Sequence, residues 1–247
     1  MARPERSREE IAEHLHQLQK DLDGKSKCRR LNANDSRPVT YVAVGASDAV
    51  GVGASAPDLG YVQLLSTLLR AHFAPQRELV SLNYGIPGLT TPELARELAP
   101  RLSTVCADIA TIWVGANDIL QGVETDQFAG ALQFFLRALY ACNCHVFVGS
   151  IPDLSLTPAI ISLPTWLIPL STPVDYVRRR KQELTEVILR LTAMYGAYYV
   201  ALPMGRVLAD PSLVSADGFH PSDAGYRELA RRWWSAISSI LPPRSSA

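Results

Sequence analysis

The chain has 247 residues, 24 Lys plus Arg against 24 Asp plus Glu, and a 47% hydrophobic composition. That length suits one large α/β domain with a substantial core. Balanced charge gives neither the basic field that condenses onto phosphate backbones nor an acidic tail, so nucleic acid is not an expected partner.

The N-terminus leads into charged residues rather than an apolar stretch with a small-residue cleavage site, which predicts a cytoplasmic location. Ile11, Leu15 and Leu18 fall on one face of a helix predicted over 8–23. Residues 24–38, with Gly24, Lys25, Lys27, Arg29, Arg30 and Pro38, read as a linker. The expected organisation is therefore a helix and linker over 1–38 and a single domain over 39–247.

The first strand is predicted at 39–45, a continuous apolar run that breaks into small residues at Gly45-Ala46-Ser47-Asp48. A hydroxyl at such an exit stands at the edge of a sheet, and Ser47 is a candidate nucleophile. A helix at 61–69, a strand at 78–83 and a helix near 91–98 follow. Thr90 or Thr91 opens that helix, with Pro92 and Glu93 in its first turn. Next come a strand at 108–115, a helix at 124–140 and a strand at 144–150. A helix at 173–195, a short strand at 197–200 and a final helix at 222–240 complete the domain. Continuous apolar strands alternating with helices imply a three-layer α/β/α sandwich around a parallel sheet of about five strands. In such sheets ligands bind beyond the carboxyl ends of the strands, where strand order reverses.

The strand exits carry the polar residues. Gly88, in the loop after the second strand, is either a turn glycine or a backbone donor at a ligand. Asn117, after the third strand, either caps a turn or offers its amide to a developing oxyanion. Asp217 and His220 lie after the fifth strand, where Pro221 keeps the histidine out of helical geometry and Asp217 can reach its Nδ1. Together these are the parts acyl transfer needs: a nucleophile, a base with an orienting acid, and donors for a tetrahedral oxyanion. The cysteines, Cys28, Cys106, Cys142 and Cys144, have neither zinc-site spacing nor the density of a disulfide scaffold. Cys142-Asn143-Cys144-His145 reads as a strand entry, and no metal or other cofactor is expected.

In these blocks the chain resembles the SGNH or GDSL-type serine hydrolases. Gly45-Ala46-Ser47-Asp48 is similar to the family's first block, Asn83 to Gly88 with Thr90 to its second, Gly115-Ala116-Asn117-Asp118 to its third, and Asp217-Gly218-Phe219-His220 to its last. The first block departs from the pattern: Ala46 stands where the family has an acid, and Asp48 where it has leucine. The resemblance implies a flavodoxin-like sandwich and metal-free ester hydrolysis by Ser47, His220 and Asp217. Its oxyanion donors would be the Ser47 N–H, Gly88 and Asn117. Against an α/β-hydrolase, the Gly-x-Ser-x-Gly elbow is broken by Ala49. An apolar insertion at 154–174 is too short and proline-interrupted for a membrane span. It either packs on the body or forms an acyl-contacting lid through Leu163, Trp166 and Leu167. The expected partner is a small ester, with or without an acyl chain, and the leaving group stays open among lysophospholipid, thiol and acetylated carbohydrate. The other class of reading is a catalytically silent binding module.

Overall fold

The computed structural model describes residues 36–161 and 172–242. The expected N-terminal helix and linker, and the residues Leu163, Trp166 and Leu167, lie outside the described residues apart from the linker's last three positions.

Five parallel strands form one sheet in the order β2-β1-β3-β4-β5. They are β1 (Val39–Gly45), β2 (Leu79–Gly85), β3 (Ile109–Trp113), β4 (His145–Gly149) and β5 (Tyr198–Val200). The helices are α1 (Ser47–Val50), α2 (Tyr61–Phe73), α3 (Thr91–Leu102), α4 (Ala116–Leu120), α5 (Thr125–Tyr140), α6 (Pro158–Ile161), α7 (Pro173–Tyr195), α8 (Met204–Ala209) and α9 (Asp223–Ser238).

Strand alternation sends β1 side chains to both sides of the sheet, and both sides are buried. Val42 and Val44 join Ala110, Ile112, Val146 and Val148 under α3, α5 and α7. Val39, Tyr41 and Ala43 join Ile109 and Phe147 under α2, α8 and α9. This double coverage explains why the strands read as continuous apolar runs, and it is the expected three-layer sandwich.

Element boundaries follow the sequence reading closely for long elements and less closely for short ones. β1 and α7 have the expected limits, whereas β2 runs to Gly85 and α2 and α3 extend to Phe73 and Leu102. The short helices α1, α4, α6 and α8 were not read from the sequence, because one turn of helix carries too little periodicity to register. Two of them, α1 and α4, follow directly on β1 and β3.

Cys106 is disulfide-bonded. Cys142 and Cys144, in the turn before β4, form no disulfide. No described helix is long and apolar enough to cross a membrane.

Candidate active site

β1 lies between β2 and β3, with its chain-order neighbour on one side and the crossover strand on the other. Strand order reverses there, so the exits of β1 and β3 diverge and leave a crevice. Ser47 opens α1 immediately after β1, and Asn117 lies in the first turn of α4 after β3. Both line one cavity with Ala46, Asp48, Leu89, Pro152 and Phe219. The depression encloses about 400 Å³, the open solvent at its mouth included.

His220 reaches this crevice from the loop ahead of α9. Its Nε2 lies 2.9 Å from Ser47 Oγ, and its Nδ1 lies 2.6 Å from Asp217 Oδ2. The loop is built to present this pair. Asp217 Oδ1 accepts from the backbone N–H groups of Phe219 and His220 at 2.8 and 2.9 Å, and from the Ser215 hydroxyl at 2.7 Å. Burial pushes the Asp217 carboxyl up, but the hydrogen bonds from His220, Ser215 and Phe219 outweigh it and hold the group well below the usual carboxylate range. It is thus a fixed negative charge behind the imidazole. The loop closes on itself through Ser215 N–H to the His220 carbonyl at 2.8 Å.

Close approach of this loop to the nucleophile block depends on Gly53. Its φ is +93°, and a Cβ there would lie 2.7 Å from the Pro221 carbonyl oxygen and 2.9 Å from His220 Cβ. Only glycine accommodates both that backbone and that contact.

The acid missing at position 46 is not needed to brace the first loop, because other residues hold it. Asn83 Nδ2 donates to the Ala49 carbonyl at 2.6 Å, and the Asn83 side-chain oxygen accepts from Gly85 N–H at 2.9 Å. Tyr226 donates its hydroxyl to the Val52 carbonyl at 2.6 Å. Further along, Asp223 accepts from the Ser55 N–H and hydroxyl at 2.7 and 2.6 Å. Asp48 does none of this bracing.

The two sequence-adjacent residues of the third block divide their work. Asn117 Nδ2 donates to the Leu89 carbonyl at 2.9 Å, which orients the amide and leaves its second hydrogen free. Asp118 is 1% exposed and accepts from Thr91 N–H and Oγ1 at 3.0 and 2.7 Å, so it is the residue that ties α4 to the start of α3. Burial raises its carboxyl above the ordinary value, with the Thr91 bonds opposing.

Gly88 sits in an exposed turn with φ +79°, a left-handed backbone that favours glycine, and open space surrounds its missing Cβ. Its neighbour Leu89, rather than Gly88, lines the cavity. Gln121, which sequence reasoning missed, donates Nε2 to the Gly88 carbonyl at 2.9 Å, and its backbone N–H donates to the Asn117 carbonyl at 2.9 Å. It therefore links the two loops. Nothing in the sequence singled it out, since an exposed Gln at a helix end has no pattern of its own. Ser215 was missed for the same reason. Among the described residues no group of three His, Cys, Asp or Glu side chains could hold a metal ion.

Residues 43–228 match the GDSL-like Lipase/Acylhydrolase family. The chain belongs to that family. Its members' activity makes it a carboxylic ester hydrolase, and the matched span runs from the nucleophile block through the His220 loop into α9. No curated protein matches the sequence. Among solved structures, the chain is similar to an esterase, EstA, from Pseudoalteromonas sp., inhibited by monoethylphosphonate, at 20% identity and TM-score 0.63, covering 83% of this chain and 98% of that one. It is similar to a lipase/acylhydrolase from Enterococcus faecalis at 20% identity and TM-score 0.61, covering 84% and 100%. It is similar also to a mutant of the acetyl-xylooligosaccharide esterase Axe2 from Geobacillus Stearmophilus at 19% identity and TM-score 0.63, covering 86% and 99%. These likenesses are of fold.

Proposed function

We propose that this GDSL-family hydrolase cleaves esters of short acyl groups through an acyl-enzyme on Ser47, with His220 as base and Asp217 as its orienting acid. The observation that carries the reading is the bridge made by one imidazole, 2.9 Å from Ser47 Oγ on one side and 2.6 Å from Asp217 on the other. A serine hydroxyl is nearly inert until a base takes its proton, and a base acts well when a third group fixes its tautomer.

His220 Nε2 takes the Ser47 proton as Oγ attacks the carbonyl carbon. The oxyanion is met by the free Asn117 amide hydrogen, with the Ser47 and Gly88 N–H groups as the further donors. His220 then returns the proton to the leaving alcohol, and in the second half activates a water that releases the acid and frees Ser47.

The short-acyl assignment is supported by the modest size of the cavity that Ser47 and Asn117 line, about 400 Å³ with open solvent included. The rival is an acyl chain held by Leu163, Trp166 and Leu167. A p-nitrophenyl ester series separates them: the expected outcome is hydrolysis falling steadily from acetate to octanoate, while a maximum at octanoate restores the acyl-chain reading. Ser47→Ala should abolish turnover and covalent labelling by a fluorophosphonate. Full esterase activity in that variant would remove Ser47 from the mechanism, and failure of the parent protein to label would favour the binding-module reading.

A further inference from the structure

Asp48 is the residue at which the nucleophile block adds a charge to the family pattern, and neither folding nor the proposed triad uses it. It follows Ser47 directly, is half-buried, and lines the same cavity as Ser47 and Asn117. Among the described residues no donor bonds its carboxylate, although buried and half-buried carboxylates are ordinarily paired. The titratable groups that face it are His220 and Asp217 on the catalytic loop, Tyr61 on α2 and Tyr226 on α9. The His220 ring is occupied by Ser47 and Asp217, and the Tyr226 hydroxyl by the Val52 carbonyl.

Among the described residues no Lys or Arg lines the cavity. Among the described residues that line it, Asp48 and Asp118 are the charged side chains, and both are acidic. Burial pushes the Asp48 carboxyl up to about 6, the His220 charge opposing and the Asp217 charge adding. Keeping it ionised at neutral pH costs stability, and a group that costs stability beside a nucleophile is a candidate for function. Helix capping does not account for it, since α1 is four residues long and its N-cap is Ala46.

We propose that Asp48 is a specificity-determining residue that pairs with a positive charge on the substrate, so that the site selects esters carrying a cationic group over neutral isosteres. This rests on Ser47 being the nucleophile. An anionic ester, such as one bearing a phosphate, is disfavoured by the same carboxylate.

The test compares two acetate esters of matched shape, acetylcholine and 3,3-dimethylbutyl acetate, with the purified protein and with Asp48→Asn. At pH 8 the parent protein should show a kcat/KM ratio of cationic to neutral ester of about ten, the order expected for one unscreened charge at a partly wet site. The ratio should fall at pH 5, where Asp48 is protonated, and stand near one at both pH values in Asp48→Asn. A merely structural role would lower both esters alike and leave the ratio unchanged. A parent ratio near one at pH 8, or the same ratio in parent and variant, overturns the proposal. If neither ester is cleaved and Ser47 does not label with a fluorophosphonate, the nucleophile assignment fails and the proposal with it.

Discussion

Asn117 carries two hydrogen bonds' worth of chemistry on one amide. One Nδ2 hydrogen is committed to the Leu89 carbonyl at 2.9 Å, which fixes the amide on the wall of the cavity that Ser47 also lines. Under the proposed mechanism this fixed amide is the oxyanion donor that would need no turning as charge develops. Asn117→Ala should lower kcat by about 10²–10³ with a much smaller change in KM, read by steady-state kinetics on p-nitrophenyl acetate. Equal losses in both parameters would instead indicate a collapsed loop. His220 and Asp217 differ from Asn117 in how they are held. Their orientation comes from within the loop 215–220, whose backbone closes through Ser215 and whose carboxylate gathers two N–H groups and a hydroxyl.

At the scale of elements, the site depends on short helices that hold the exits of long strands. α4 is five residues long and has little helical stability of its own. Asp118 compensates by accepting from both Thr91 N–H and Thr91 Oγ1, which welds α4 to the start of α3. α3 is itself capped, with Glu93 accepting from the Thr90 N–H at 2.9 Å. Asp118→Ala leaves two buried donors on Thr91 without partners. The expected cost is roughly 1–3 kcal/mol of stability, seen as a lower urea midpoint, together with a loss of kcat because Asn117 is the adjacent residue. A variant that lost kcat with an unchanged midpoint would show that Asp118 acts on chemistry rather than on the weld.

At the scale of the whole molecule, the carboxylates that the fold shifts move in two opposed directions, and pH separates them. Asp217 and Asp153 are held below the ordinary value. In both, burial is the largest single influence and acts upward, but hydrogen bonds prevail, with the Lys181 charge also helping at Asp153. Their folded forms are stabilised when ionised, so they contribute above the unfolded carboxyl pKa of about 3.9, and the contribution is lost as pH falls below it. Asp48 runs the other way. Its folded carboxyl binds a proton up to about pH 6 while the unfolded one has released it, so stability falls as pH rises from about 4 to 6. Asp118, raised by burial, has the same sign. Urea midpoints measured from about pH 3 to 8 should therefore peak near pH 4–5 and drop steeply on the acid side. In Asp48→Asn the decline between about pH 4 and 6 should be shallower, with the variant matching the parent near pH 4. A parent more stable at pH 7 than at pH 5 would contradict the assignment of Asp48.

The sequence by itself determined the layers, the strands and the identities at their exits. Continuous apolar runs need burial on both faces, and the residues that break them, Ser47, Gly88, Asn117 and the Asp217–His220 pair, must then fall at one edge. The capping signal at Thr90 and Glu93 was equally legible, because it is carried by residues three apart in the chain. Only the tertiary structure decided how those exits are joined. Bonds such as His220 to Ser47, 173 residues apart, and Asp118 to Thr91, 27 apart, depend on strand order and helix docking, which local periodicity does not encode. The same holds for Gln121 between Gly88 and Asn117, for Gly53 against His220, and for Asn83 in the bracing role that Ala46 cannot fill. Asp48 shows the distinction most plainly. In the sequence it is a departure from a motif, and in the fold it is a carboxylate without a hydrogen-bond partner among the described residues, on a residue that lines the same cavity as Ser47 and Asn117.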